Sequence, residues 1–335
     1  MNRRVALFVL FLTTAWGAPV ASPALLQEPG GGGRPERNQP GPWDQDVLVY
    51  RVKPDGETGK VATFERAGVP TIARMKDGRL IVAHQHFPEK DDVAFDKVAV
   101  RFSADNGKSW SEPAVIEVKG LPEGMRFPFD PTLVPLPDGK IRLYFTSTRG
   151  RIIADNPPAI YSAISDDGIR YTFEDGVRFG VEGKMIIDCA VVLHNGLFHL
   201  YVPDNGDAGS MPGKQSGEGV GYHAVSKDGL TFTREKEVRI EGRRRWLGNA
   251  RSDGKTIVFY GTGEGMEKGG GFWMATSADG KEWKLVPNPP IRGGDPGAEM
   301  ADGDLIVVIT GGPRPGTPSA NQKRRPPPDN RRDGR

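Results

Sequence analysis

Between about residues 46 and 312 the chain alternates apolar and polar positions in short runs, the period of half-buried β-strands. Pairs of runs flank Asp-Gly or Asn-Gly, the dipeptides that suit a two-residue type I′ hairpin turn. These are Asp77-Gly78, Asp138-Gly139, Asn195-Gly196, Asp253-Gly254 and Asp302-Gly303, spaced by 61, 57, 58 and 49 residues. TIARM and RLIVAH flank the first, TLVPL and KIRLYFT the second, AVVLH and LFHLYV the third. KTIVFYG follows the fourth and DLIVVIT the fifth. A second signal alternates with the first: Ser, then Asp two residues on, then Gly and an aromatic. It reads Ser103-x-Asp105-x-Gly107-x-x-Trp110, then Ser165, Asp167, Gly168, Tyr171. It returns as Ser226, Asp228, Gly229, Phe232 and as Ser277, Asp279, Gly280, Trp283. Each copy follows a strand-like run: VAVRF, AIYSAI, GYHAV and FWMAT. Four strands per period of about 60 residues predict an all-β fold, a β-propeller of four-stranded antiparallel blades.

Five first hairpins but four second ones leave one blade short of two strands. An open blade would expose an unpaired edge. Asp46–Val52 and Val61–Arg66 can fill it, with a turn at Pro54-Asp55-Gly56. The expected fold is therefore a five-bladed ring over residues 44–312, its last blade closed by N-terminal strands. No helical pattern of ten or more residues follows the N-terminal segment. Glycine and proline supply 74 of the 335 residues, which suits short strands and tight turns rather than a helical bundle.

The two ends differ in composition. Residues 1–24 carry Arg3 and Arg4, then an apolar run from Val5 to Trp16, then small residues, as a secretory signal does. The run is short for a membrane span, and the expected location is secreted or periplasmic. Residues 25–43 read as a Gly/Pro linker, and residues 313–335 as a disordered Pro/Arg-rich tail of net charge +5. The whole chain is only +2, so no global field points to nucleic acid. One cysteine excludes an internal disulfide and a Cys-cluster zinc site. No cofactor is expected; an axial or structural Ca2+ is the one inorganic ligand the acids suggest, and oligomeric state is not legible.

In an up-and-down blade both turn types fall on one face. The other face carries the starts of the inner strands and the long loops 84–96, 146–159, 203–219 and 261–271, the usual place for binding. Aligning the Asp-Gly turns superposes Val69-Pro70-Thr71, Asp130-Pro131-Thr132, Asp188-Cys189-Ala190, approximately Asn249, and Asp295-Pro296. Asp130, Asp188 and Asp295 would then face one axial cavity. Crowded carboxylates raise one another's pKa, so one can stay protonated while another is ionised. That division is the chemistry of glycoside hydrolysis. The alternative for each aspartate is capping of backbone where a loop enters a strand. Cys189 would point the other way, as a buried inert thiol.

The Ser-x-Asp signal resembles the Asp-box of bacterial neuraminidase (BNR) repeats, so the chain is similar to sialidase-like propellers. In that resemblance the box is structural: Ser and Asp cap the turn and the aromatic packs between blades. The three acids resemble those of five-bladed glycosidases related to arabinanases and levansucrases, where successive inner strands begin with an acid. This chain departs where Val69 stands in place of an acid; Asp96 and Asp295 are the substitutes in reach. The sialidase resemblance implies three arginines holding a substrate carboxylate. Gly68-Val69-Pro70 replaces the family's Arg-Ile-Pro, leaving Arg66, Arg126 and Arg149 as candidates. A Tyr–Glu pair would join Tyr222 to Glu264 or Glu299.

Other residues suit substrate binding. His86 follows His84 at i+2 near Asp91 and Asp92, and suits a sugar hydroxyl or, with His84, a metal; surface-loop polarity is the alternative. Asp204-Asn205-Gly206-Asp207 loosely resembles a calcium loop without the full EF-hand spacing. Trp246 follows three arginines and suits either stacking on a sugar ring or packing between blades. Three function classes follow: a secreted hydrolase with a carbohydrate substrate, a non-catalytic propeller that binds glycan or protein, and a polysaccharide lyase using His86, Tyr222 or His223. The first accounts for the paired acids.

Overall fold

The computed structural model describes residues 42–149, 156–208, 219–242, 244–263 and 271–314. The predicted signal segment and nearly all of the linker and basic tail lie outside them. So do parts of three of the four long loops.

A 3-10 turn (Pro42–Asp44) leads into β1 (Val47–Val52) and β2 (Thr58–Phe64). Blade one is β3 (Ala67–Arg74), β4 (Leu80–His86), β5 (Lys97–Ser103) and β6 (Ala114–Val115). β7 (Glu117–Lys119) then runs parallel to the outermost strand of blade two. Blade two is β8 (Phe129–Pro135), β9 (Ile141–Ser147), β10 (Ala159–Ser165) and β11 (Arg170–Phe179). Blade three is β12 (Ala190–His194), β13 (Leu197–Pro203), β14 (Val220–Ser226) and the outer pieces β15 (Thr233–Arg234) and β16 (Val238–Arg239). Blade four is β17 (Arg244–Ser252), β18 (Ile257–Gly263), β19 (Phe272–Ser277) and β20 (Lys284–Val286). Blade five takes its inner strands β21 (Gly294–Ala301) and β22 (Asp304–Thr310) from the C-terminal side and its outer strands from β1 and β2. The fold is a five-bladed β-propeller, closed by antiparallel pairing of β1 with β22 from Val47↔Thr310 to Val52↔Leu305.

Five apolar clusters fill the five seams between blades. Ile81, Val98, Leu143 and Phe145 occupy the seam of blades one and two, and Ile160, Val191 and Leu200 the next. Tyr201, Trp246, Phe259 and Trp273 fill the seam of blades three and four. Tyr260, Phe272 and Ile309 join blades four and five, and Val49, Phe64, Leu80 and Val308 join five to one. Among the described residues no helix is long and apolar enough to cross a membrane.

The Ser-x-Asp turns brace these seams. In each, the serine Oγ accepts the glycine N–H at 2.7 to 2.9 Å. The aspartate Oδ1 accepts two further backbone N–H groups, for example from Leu230 and Thr231 to Asp228. Those bonds hold the Asp228 carboxyl down to about 2. The aromatics Trp110, Tyr171, Phe232 and Trp283 each pack on a seam cluster. These aspartates are structural and do not face the axis. At Gly280 φ is +74°, and a Cβ there would lie 2.3 Å from His199 Nδ1. Gly280→Ala is therefore expected to cost roughly 1–3 kcal/mol, read as a lower urea midpoint with an unchanged slope. A wild-type midpoint would show that the turn relaxes freely.

The beginning of the predicted tail is tied to the propeller. Arg314 donates from Nε to Asp46 Oδ1 at 2.8 Å, and its backbone N–H donates to Asp44 O at 2.9 Å.

Candidate active site

Each inner strand but one begins with a break in its ladder, at Gly68/Thr71, Phe129/Thr132, Arg245/Gly248 and Gly294/Gly297. A bulge re-aims a side chain. Here it turns Val69, Asp130 and Asp295 toward the axis, and Asp188 holds the matching place just ahead of β12, where the ladder has no break. All four lie in the left-handed region, with φ of 49°, 49°, 50° and 62°. Aspartate tolerates that region better than most residues, while for a β-branched valine it is an outlier. In blade four the register of Asn249 with Tyr260 puts Leu247, not Asn249, at the corresponding position. Asn249 instead donates from Nδ2 to Pro70 O and Pro296 O.

Val69, Asp130, Asp188, Leu247 and Asp295 line one axial cavity, with Cys189 and Asn249 among its other walls. Its volume is about 10 Å³, room for one water. The cavity is too small to hold a sugar ring. Asp130 and Asp295 are buried and Asp188 is half-buried. A cleft of about 290 Å³ lies elsewhere, between the Asp-Gly turns of blades one and two, lined by Met75, Lys76, Leu136 and Lys140. It is on the opposite face from the acids.

Electrostatics sets the acids apart from ordinary carboxyls. Burial pushes Asp130 up to about 7; the charge of Asp295 adds to this, while the Thr146 hydroxyl and Arg126 oppose it. Asp188 is raised by burial and then by Asp130, whose carboxyl lies within hydrogen-bond reach of its own. Arg245 pulls the other way. Asp295 is raised to about 7 by burial and by Asp188, against Arg245 and the Thr310 hydroxyl. Asp130 and Asp188 thus form a close carboxyl pair in which ionisation of one opposes that of the other, with Asp295 as a third carboxyl beside it.

Threonines at the ends of second strands tie this ring together. The N–H of Asp188 donates to Thr146 Oγ1 at 3.2 Å, that of Asp295 to Thr262 Oγ1 at 2.9 Å, and that of Val69 to Thr310 Oγ1 at 2.9 Å. Each threonine hydroxyl in turn serves its own blade: Thr146 bonds Asp130, Thr310 donates to Asp295 Oδ2, and Thr262 donates to Leu247 O.

The remaining sequence candidates separate. Asp96 is not an axial acid. Its Oδ1 accepts from Gln85 Nε2 at 3.1 Å and its Oδ2 pairs with Arg126 at 2.7 Å. Arg126 lies over the Phe129 ring, four residues before Asp130. Arg66 is turned away: its guanidinium bonds Trp43 O and Glu89. Arg149 bridges to Met125 at the strand end. Asp204 accepts the Gly206 N–H and shapes the loop that carries Asn205. Trp246 is no sugar platform. It is fully buried among Tyr201, Phe259 and Trp273, and its Nε1 donates to Gly219 O at 3.1 Å.

The histidine pair is not surface polarity. His84 is fully buried against Phe64, its Nδ1 bonded to Gln85 O, and burial holds it near 3. His86 shares that face, edge-on to His84, and is not among the axial lining residues. The strand's two-residue period carries both into the seam of blades five and one. Glu264 lies outside the described residues. Glu299 sits at the turn end of β21, in register with Ile306, whereas Asp295 is at the opposite end. Tyr222 is buried against Phe179, so it does not pair with Glu299. Among the described residues no group of three or more His, Cys, Asp or Glu is arranged to hold a metal ion.

Sequence reasoning missed the threonines, and Arg245 entered it only as one of the three arginines before Trp246. Arg245 bonds Asn205 Oδ1 and is the cation felt by both Asp188 and Asp295. Only its place at the start of an inner strand could have marked it.

No protein-family model matches the chain, and no curated protein matches it. Solved structures do. An N-acetylgalactosamine deacetylase from F. plautii, in complex with blood group B trisaccharide, superposes with a TM-score of 0.52 at 14% identity, over 80% of this chain and 86% of that one. An α-L-arabinofuranosidase of family 43 from Clostridium thermocellum gives 0.52 at 14%, over 72% and 81%. A family-43 β-xylosidase/α-arabinofuranosidase from a compost metagenome, in complex with xylotriose, gives 0.51 at 16%, over 73% and 90%. At such identities the likeness is one of fold.

Proposed function

We propose that this chain is a glycoside hydrolase that works at the mouth of the axial cavity with Asp130, Asp188 and Asp295. The observation that carries the reading is the convergence of three carboxyls, each on a left-handed residue at the start of an inner strand. Strained backbone held in place by its surroundings clusters at functional sites. Carbohydrate complexes among the structural neighbours support the substrate class.

In this reading the three carboxyls divide the roles. Acid and base of a glycosidase stand roughly 5 to 10 Å apart, on either side of the scissile bond. Asp130 and Asp188 lie within hydrogen-bond reach of each other, too close to take both roles. The dyad therefore acts as one unit: it shares a proton, carries one negative charge and serves as base or nucleophile. Asp295, raised to about 7, keeps its proton near neutral pH and delivers it to the leaving oxygen. A sialic-acid substrate has less support, because Arg66 and Arg126 are each paired with a carboxylate. With a secretory signal at residues 1–24, the substrate would be met outside the cytoplasm.

A second reading, a glycan-binding propeller without catalysis, draws on the small cavity and on the dyad's close contact. The test is turnover on arabinofuranosyl, xylosyl, fucosyl, galactosyl and sialyl substrates, with Asp130→Asn and Asp188→Asn alongside. Turnover of one substrate, lost in both folded variants, supports the hydrolase. Turnover that survives both variants removes these residues from the mechanism. Saturable glycan binding with no turnover across the panel favours the binding propeller.

A further inference from the structure

The threonine contact that links successive inner strands is present at three seams and missing at two. At the seam of blades one and two the register puts Gln85 where Thr146, Thr262 and Thr310 stand elsewhere; at the seam of blades three and four it puts Pro203. Proline has no hydroxyl, and Gln85 turns to Asp96 instead. At both of these seams an arginine stands at the entry to the inner strand of the following blade, Arg126 three residues ahead of β8 and Arg245 as the second residue of β17. Arg126 precedes Asp130 and is held by Asp96. Arg245 precedes Leu247 and is held by Asn205. Both anchors come from the connection between the second and third strands of the preceding blade. The same break in the ring's pattern thus recurs with the same replacement.

We propose that Arg126 and Arg245 are positioning residues for the axial acids, each standing at a seam without the threonine and each fixed by an acceptor from the preceding blade. The proposal rests on reading the axial acids as the working groups. The two arginines are not equivalent. Arg126 is neutralised by a carboxylate, whereas Arg245 is held by a neutral amide and keeps its charge for the cavity. The Asn205 anchor is itself fixed by its loop: Gly206 donates to Asp204, and Lys184 pairs with Asp207 across the neighbouring connection. Arg245 therefore governs Asp188 and Asp295, and Arg126 governs Asp130, as the direction of each interaction agrees. The charged and titratable groups facing the three acids are one another, the two arginines and the thiol of Cys189.

The experiment is a 13C NMR titration of aspartate-labelled protein, which reads the carboxyls with or without turnover. Arg245→Gln should move Asp295 upward by about one pH unit, the low end of the effect of a nearby opposite charge. Arg245→Lys should restore most of that shift. Asn205→Ala, which removes no charge, should move Asp295 in the same direction. Arg126→Gln should act on the Asp130–Asp188 pair and leave Asp295 nearly in place. If a substrate is turned over, the alkaline limb of kcat/KM should follow the Asp295 shift and the acid limb that of the Asp130–Asp188 pair, with little change in KM. Folded Arg245→Gln and Arg126→Gln variants with wild-type carboxyl titrations would overturn the proposal. Shifted titrations in a protein that hydrolyses nothing would uphold the positioning role and fault the hydrolase reading alone.

Discussion

Asp295→Asn should make the protein more stable at pH 8 and inactive, a gain and a loss from one atom. A carboxyl whose folded pKa is raised contributes full stability below its unfolded value. That stability is lost as pH rises through the folded value. For Asp295 the window runs from 3.8 to about 7. Across it the native state holds a proton that the unfolded chain has already released, and by pH 8 the cost is about 4 kcal/mol. Asparagine has nearly the same shape, still accepts from Thr310, and does not ionise. Thermal unfolding should therefore show a Tm roughly ten degrees above wild type at pH 8, and little difference at pH 4. Turnover should fall by roughly 100- to 10,000-fold, the usual share of a general acid. A variant no more stable than wild type at pH 8 would mean that Asp295 is not strained by burial, and the acid assigned to it would go too.

The second large effect lies away from the axis. Arg142 is buried at 6% exposure and grips Glu174 with Nε and Nη2 at 2.8 and 2.9 Å. Its Nη1 donates to Asp228 O, in the Ser-x-Asp turn of the next blade. Ser162 donates to Glu174, and Arg178 donates to Ser162 and to Leu230 O. This network joins blades two and three. Glu174→Ala would leave a buried guanidinium without its counter-charge, at a cost of about 3–5 kcal/mol. Replacing both partners by leucine-like residues should cost much less, because no charge is then stranded. Urea unfolding of the single and double variants compares the two. If the single variant loses less than the double, the pair is not what secures this seam.

Why the fold was legible and the site only partly so follows from where each signal lies. Asp-Gly turns and Ser-x-Asp turns are local: a few residues dictate them, and their spacing counted the blades. The pairing of β1 with β22 was legible because an unpaired edge would be costly. Asp130 and Asp295 were visible through the proline that follows each at the strand start, as Pro70 follows Val69. The partners of these acids were not. Gln85 reaches Asp96 across eleven residues, and Arg245 reaches Asn205 across forty. Trp246 and His84 look like rim residues in sequence because polar neighbours surround them. The strand period turns both inward, and no composition reports that. The left-handed backbone at the acids was equally invisible, since it follows from a bulge rather than from residue type.

The pairing of β1 with β22 also has a consequence for how the molecule is made. Its two halves lie some 250 residues apart, so a chain emerging from the ribosome holds the β1–β2 hairpin with the other edge of β1 unpaired until nearly all of it has been synthesised. Four blades can form in order from local contacts, and the ring shuts last. Contacts of such long sequence separation form slowly. The growing chain therefore carries an open sheet edge for most of its synthesis, and a chain halted before β22 would end with that edge bare.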